Sequence, residues 1–88
     1  MSRDLTNSKE LQERAKNVIP HLTGTFTRGA YSFVEGVYPV YIKSAEGSHF
    51  TDVDGNKYLD YLCGIGPITL GYNYQKVNDA IIAQLKNG

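Results

Sequence analysis

Asp52, Asp54 and Asn56 alternate along the stretch Asp52-Val-Asp-Gly-Asn56, the spacing of the first three oxygen ligands in a calcium loop. The rest of that loop is missing. Its sixth position needs glycine and holds Lys57, and its twelfth needs a bidentate glutamate and holds Cys63. A tight turn accounts for the same residues, because Asp and Asn side chains bond nearby backbone and Gly55 supplies positive φ. Gly64, Gly66 and Gly71 raise a second chemistry, the cradling of a phosphate by backbone N–H groups at a helix start. Here too the spacing fails: position 69 is Thr69, no Gly-Lys-Ser/Thr follows, and Pro67 removes a donor. A bend that lets the backbone pass close to another surface explains these glycines.

Arg28 is the cation of the arm between Ile19 and Val34, with Phe26, Tyr31 and Phe33 around it. A guanidinium in such a setting can clamp a carboxylate or phosphate through two parallel hydrogen bonds, or pack on the aromatic rings. His21 and His49 have no Cys or His partner at metal spacing, and Cys63 has no local activating group. No Ser/His/Asp arrangement, retuned acid pair or marked Schiff-base lysine is present, so these residues compose no complete reaction site.

The elements that must position Arg28 and the glycines follow from periodicity. Leu11, Ala15, Val18 and Ile19 recur at helical spacing, Glu10/Arg14 and Lys9/Glu13 form i,i+4 pairs, and Asn7 with Glu10 signals a cap, which predicts a helix over 7–18 ended by Pro20. Residues 19–36 read as an extended arm. Alternation from Tyr38 to Lys43, a turn at Ala45-Glu-Gly47, a strand from Ser48 to Val53, a hairpin at Asp54-Gly55 and a strand from Lys57 to Leu62 predict a three-stranded antiparallel meander over 38–62. A Gly/Pro segment over 63–72 precedes a helix over 74–86, with Asn73 as its cap and Val77, Ala80, Ile81 and Leu85 as its stripe. The fold class is α+β: helix, arm, meander and helix in a single segment.

Bulk properties bound the function. Nine basic residues balance nine acidic ones among 88, so no net field favours nucleic acid or an anionic membrane. A chain of that length buries only about 60% of its unfolded surface, which leaves a thin stability margin. The single cysteine, the absence of any apolar run of membrane-spanning length and the lack of a secretory pattern predict a cytoplasmic protein.

The pattern Asp52-Val-Asp-Gly-Asn-Lys-Tyr-Leu-Asp-Tyr61 followed by Gly66-Pro-Ile-Thr-Leu-Gly-Tyr72 resembles the N-terminal region of class III pyridoxal-phosphate aminotransferases. The branch it looks most like is that of glutamate-1-semialdehyde aminomutase. Two further anchors agree: Ile19-Pro20 leading into the arm with Arg28, and Gly36-Val-Tyr-Pro39 with Ala45-Glu-Gly47. The sequence departs from the aminomutases at Ile65, where they usually carry tryptophan, and at Gly71-Tyr-Asn-Tyr-Gln75, where they carry a His-containing motif.

The resemblance implies the small-domain part of a fold-type-I enzyme, homodimeric at full length, that moves an amino group to or from a small carbonyl or carboxylate metabolite. It implies pyridoxal 5'-phosphate as cofactor, held by residues and a Schiff-base lysine beyond Gly88, so this chain alone should be inactive. It implies a substrate-binding role for Arg28, toward a carboxylate, and for Ile65 and Gly66 in the pocket wall. The departures favour a transaminase over the aminomutase proper. A free-standing α+β binding module with a tyrosine-rich surface is the alternative of another class.

Overall fold

The computed structural model describes residues 3–29, 32–34, 36–38 and 40–88, and the backbone but not the side chain of Phe26. Helix α1 spans Thr6–Lys16, strands β1, β2 and β3 span Ile42–Glu46, His49–Asp52 and Lys57–Leu59, and helix α2 spans Gln75–Leu85. The strands form one antiparallel sheet in the order β1-β2-β3. The α+β composition and the three-stranded antiparallel meander are as the sequence predicts, but the third strand stops at Leu59 rather than Leu62, where Asp60 turns its carboxylate onto the Leu62 and Cys63 amides.

The start of α1 is not built as its sequence suggests. Asn7 lies inside the helix, the cap position is Leu5, and no side chain there bonds the first turn. The orphan donors of that turn are met from elsewhere. Thr6 N–H goes to the Asp4 carboxylate (3.0 Å), and Asn7 N–H and Ser8 N–H go to the two oxygens of Asp54 on the hairpin (2.7 and 3.0 Å). A helix with no acid in its first turn thus borrows one from a distant segment, which also favours the positive end of its dipole. The helix ends at Lys16 rather than Val18, and Ile19 is extended (φ −121°, ψ 107°), as the residue before Pro20 must be. Glu13 pairs with Lys16 at 2.5 Å, not with Lys9.

The arm is not simply extended. Short 3-10 turns form at Pro20–Leu22 and Phe26–Arg28, the first with His21 and Leu22 at positive φ (57° and 62°). Ala30, Tyr31, Glu35 and Pro39, which the arm and first-strand readings included, lie outside the described residues.

Strand β1 begins at Ile42, not Tyr38, and runs through Ala45 and Glu46, so the turn falls at Gly47-Ser48. A bulge between Ile42 and Ser44 breaks the alternation read from Tyr38 to Lys43. Asp54-Gly55 makes the hairpin, with Gly55 at φ 88°. Asn73 does not cap α2: the cap position is Tyr74, and the Asn73 side chain accepts from Asn78 Nδ2 at 2.5 Å.

Among the described residues the fully buried apolar side chain is Ala15, and the largest wholly buried one is Asp52, at 0% exposure. Val77, Ile81, Ile82 and Leu85 of α2 are exposed, as are Leu62, Ile65 and Leu70 of the Gly/Pro segment. The radius of gyration is 15.0 Å, against about 12 Å for a closed domain of this length. Hydrogen bonds linking Asp54 and Asn56 to the start of α1 and Arg28 to Gly64 tie distant segments of the described chain together, and the Phe50 and Tyr58 rings stack across the sheet. None of its helices is long and apolar enough to cross a membrane.

Candidate substrate-binding rim

Local hydrogen bonds fold the Gly/Pro segment before any side chain enters. Leu62 O accepts from Ile65 N–H (2.9 Å), and Cys63 O accepts from both Gly66 N–H and Ile68 N–H (3.1 Å each). These bonds wind Cys63, Gly64, Ile65 and Gly66 through four consecutive positive φ values, 51°, 62°, 63° and 106°. Glycine adopts that region freely; cysteine and, above all, β-branched isoleucine do not. The turn therefore stores strain at Cys63 and Ile65, a pattern that clusters at ligand clamps.

The arm closes on this turn. Arg28 Nη2 donates to Gly64 O at 2.7 Å, although the two residues are far apart in sequence. Arg28, assigned to a pocket by resemblance together with Ile65 and Gly66, is thus bonded to the turn that carries those two residues. The guanidinium has five N–H donors and this bond uses one, and the side chain is exposed. The Ile65 side chain, in the same turn as Gly64, is exposed. Such an arrangement can hold an anion next to an apolar wall.

Proton transfer is not within its reach. Asp60, at the start of the turn, accepts from Tyr72 Oη (2.6 Å), Leu62 N–H (2.8 Å) and Cys63 N–H (3.1 Å). The Tyr72 hydroxyl, with help from the two amides, holds the Asp60 carboxyl below its ordinary range. The same bond pushes Tyr72 up to about 12. At neutral pH one is therefore a fixed carboxylate and the other a fixed phenol. Among the described residues the Cys63 thiol makes a long contact to Asp60 O, at 3.8 Å.

The carboxylates of the calcium-like pattern are engaged elsewhere. Asp52 accepts from Asp54 N–H (3.0 Å), Asn56 N–H (2.8 Å), Asn56 Nδ2 (2.8 Å) and Tyr58 Oη (2.8 Å). Burial works against its charge, and these donors outweigh burial and lower its pKa. Asn56 Nδ2 also reaches Asp4 O at 2.8 Å, and Ser8 Oγ bonds Asp54 at 2.5 Å. Oxygens that a cation would need are thus bonded to protein donors. Reading the sequence as a local turn missed this link to α1. The available signal was a first helical turn without an acid of its own.

A seat for pyridoxal phosphate would need a lysine amine, donors for the phosphate and an acid for the ring nitrogen. Lys9, Lys16, Lys43, Lys57, Lys76 and Lys86 are all exposed, and Asp52 and Asp60 are taken up as described. The described residues do not fit that cofactor as its binding set.

Residues 31–88 match the family model described as aminotransferase class-III. The chain is 42% identical over 83 residues to the 3-aminobutyryl-CoA aminotransferase of Cloacimonas acidaminovorans, covering 94% of this chain and 20% of that protein. It is 39% identical over 84 residues to glutamate-1-semialdehyde 2,1-aminomutase 1 of Lachnoclostridium phytofermentans, covering 96% and 19%. Its fold superposes with a TM-score of 0.82 on the FumI protein of Sphingopyxis sp. MTA144, solved as the pyridoxal-phosphate internal aldimine form, at 32% identity over 94% of this chain and 20% of that one. The chain therefore spans about a fifth of the length of the curated relatives it matches.

Proposed function

We propose that this chain, which belongs to the class-III aminotransferase family, is the N-terminal portion of a pyridoxal-phosphate-dependent transaminase acting on a small carboxylate-bearing amine or carbonyl compound. Its part in that enzyme is to supply the substrate-side rim. Arg28 anchors the substrate carboxylate, Ile65 forms an apolar wall and Gly66 lets the substrate approach the backbone. The observation that carries the reading is the 2.7 Å bond from Arg28 to Gly64 O, which sets a guanidinium with free donors against the left-handed turn. The cofactor supplies the electron sink in this family, and in this reading its lysine and phosphate donors come from the remainder of the polypeptide. A cytoplasmic homodimer that binds neither nucleic acid nor membrane completes the proposal.

Ile65 favours a transaminase over the aminomutase proper, because a branched aliphatic side chain shapes a different wall from the tryptophan usual there. Two experiments test the reading. Sequencing the reading frame onward from codon 88 should reach a glycine-rich turn and a strand-borne lysine, whereas a stop codon there would leave a binding module. In the full-length enzyme, Arg28→Met should weaken carboxylate substrates by about 1.5–3 kcal/mol through loss of a charge-assisted contact, with cofactor affinity unchanged. An unchanged kcat/KM for every carboxylate substrate would remove Arg28 from the site. Borohydride treatment of the isolated chain with pyridoxal phosphate should label no single lysine stoichiometrically.

A further inference from the structure

The loop between Asp60 and Tyr72 is closed at its base by two independent devices. Tyr72 pairs with Gly47 through both backbone bonds, N–H to O at 2.7 Å and O from N–H at 3.0 Å. Gly71 is what permits the approach, since a Cβ there would stand 2.8 Å from Gly47 O. The side chains then join across the same base, Tyr72 Oη donating to Asp60 Oδ2 at 2.6 Å. The other oxygen of Asp60 receives Leu62 N–H and Cys63 N–H, the first donors of the left-handed turn. Asp60 is itself fixed to the sheet through its N–H, which donates to Ser48 O at 2.8 Å.

We propose that Asp60, locked by Tyr72, is the positioning residue of the substrate rim: it holds the strained turn in the one conformation that presents Gly64 O to Arg28 and thereby aims the guanidinium. The inference rests on the carboxylate-anchoring role proposed for Arg28. Cys63 and Ile65 sit at φ 51° and 63°, a state each relaxes from unless its surroundings over-determine it. The acceptor that ties down Leu62 and Cys63 is a single carboxylate oxygen. Without it the turn opens, Gly64 O leaves Arg28, and the arm loses its tether to the rim. Asparagine has the same shape and retains an acceptor oxygen for the two amides. Its amide nitrogen can donate to Tyr72 Oη, so it preserves the geometry without the charge.

The test uses the full-length holoenzyme with Asp60→Ala, Asp60→Asn, Tyr72→Phe and Arg28→Met. One readout is the ratio of kcat/KM for an amino acid to that for the equal-length amine lacking the carboxylate, with 3-aminobutyrate and sec-butylamine as the first pair. The other is amide exchange over residues 62–68, followed by mass spectrometry without turnover. Asp60→Ala should raise KM for the carboxylate substrate about tenfold with a smaller change in kcat, leave the amine nearly unaffected, and speed exchange across the turn. Asp60→Asn should restore both readouts to within about twofold, and Tyr72→Phe should fall between. Equal losses on both substrates, or unchanged exchange in Asp60→Ala, would overturn the proposal. If Arg28→Met spares carboxylate substrates while Asp60→Ala still opens the turn, Asp60 does position the turn and it is the anchoring role of Arg28 that fails.

Discussion

Two aspartates organise this chain in opposite ways. Asp52 gathers four donors around a wholly buried carboxylate and binds the hairpin to itself, while Asp54 beside it clasps the start of α1. The positive φ in that hairpin falls on Gly55, where it carries no strain. Asp60 gathers three donors in a half-buried position and holds a turn whose positive φ falls on Cys63 and Ile65 as well as on glycine. One device, a carboxylate collecting nearby N–H and O–H groups, ties down a hairpin in the first region and a strained turn, the proposed substrate rim, in the second. The difference is where the backbone strain is placed.

The contrast predicts a graded set of effects in the full-length protein. Asp52→Ala should be the most damaging change, about 3 kcal/mol or more, because it strips partners from Asn56 and Tyr58 and from two backbone amides at once. Its thermal midpoint and the exchange of α1 amides would both shift. An intact α1 in that variant would separate the Asp52 hub from the Asp54 clasp.

Gly71→Ala should follow at about 2–3 kcal/mol, since φ there is 83° and the new methyl would meet backbone at 2.8 Å. Loss of the Gly47–Tyr72 bridge, seen as faster exchange at both amides, is the diagnostic. Gly55→Val should cost less, about 1–2 kcal/mol, because a Cβ at Gly55 meets nothing within 4 Å and only its φ of 88° resists. Gly55→Asn should recover most of that loss, whereas Gly71→Asn should not. Equal costs at the two glycines would contradict the distinction between conformational and steric need.

Acid should act on both regions and most gently near neutrality. Asp52, Asp54 and Asp60 all have folded pKa values below the ordinary carboxylate range. A depressed folded pKa contributes stability that is present above the unfolded value near 4 and is lost as pH falls through the folded one. Protection factors at Asn7 and Ser8 and at Leu62 and Cys63, taken against the intrinsic exchange rate at each pH, should therefore fall below about pH 4 and stay flat from about pH 5 to 8. A transition near neutral pH would point to a different titrating group.

The legible part of this structure was the part with short-range causes. The Asp54-Gly55 turn, the meander, the α2 stripe and the pre-proline stop after α1 each follow from residues a few positions apart. Errors arose where a partner lay far along the chain. Asn7 looked like a cap because the acid that serves the helix, Asp54, is remote. Strand β1 begins at Ile42 rather than Tyr38, and a bulge between Ile42 and Ser44 interrupts its alternation. Arg28, Ile65 and Gly66 could be named from the family pattern, but nothing in their spacing showed that Arg28 bonds the turn that carries the other two.

Local chemistry in the sequence determined the elements, the turn residues and the family to which the chain belongs, because propensity, turn geometry and motif spacing act over a few residues. Tertiary structure alone decided which donors each aspartate collects and that the strained turn at 63–66 faces the Arg28 arm. Those outcomes depend on segments brought together from distant positions, where the geometry of a few hydrogen bonds outweighs any local preference.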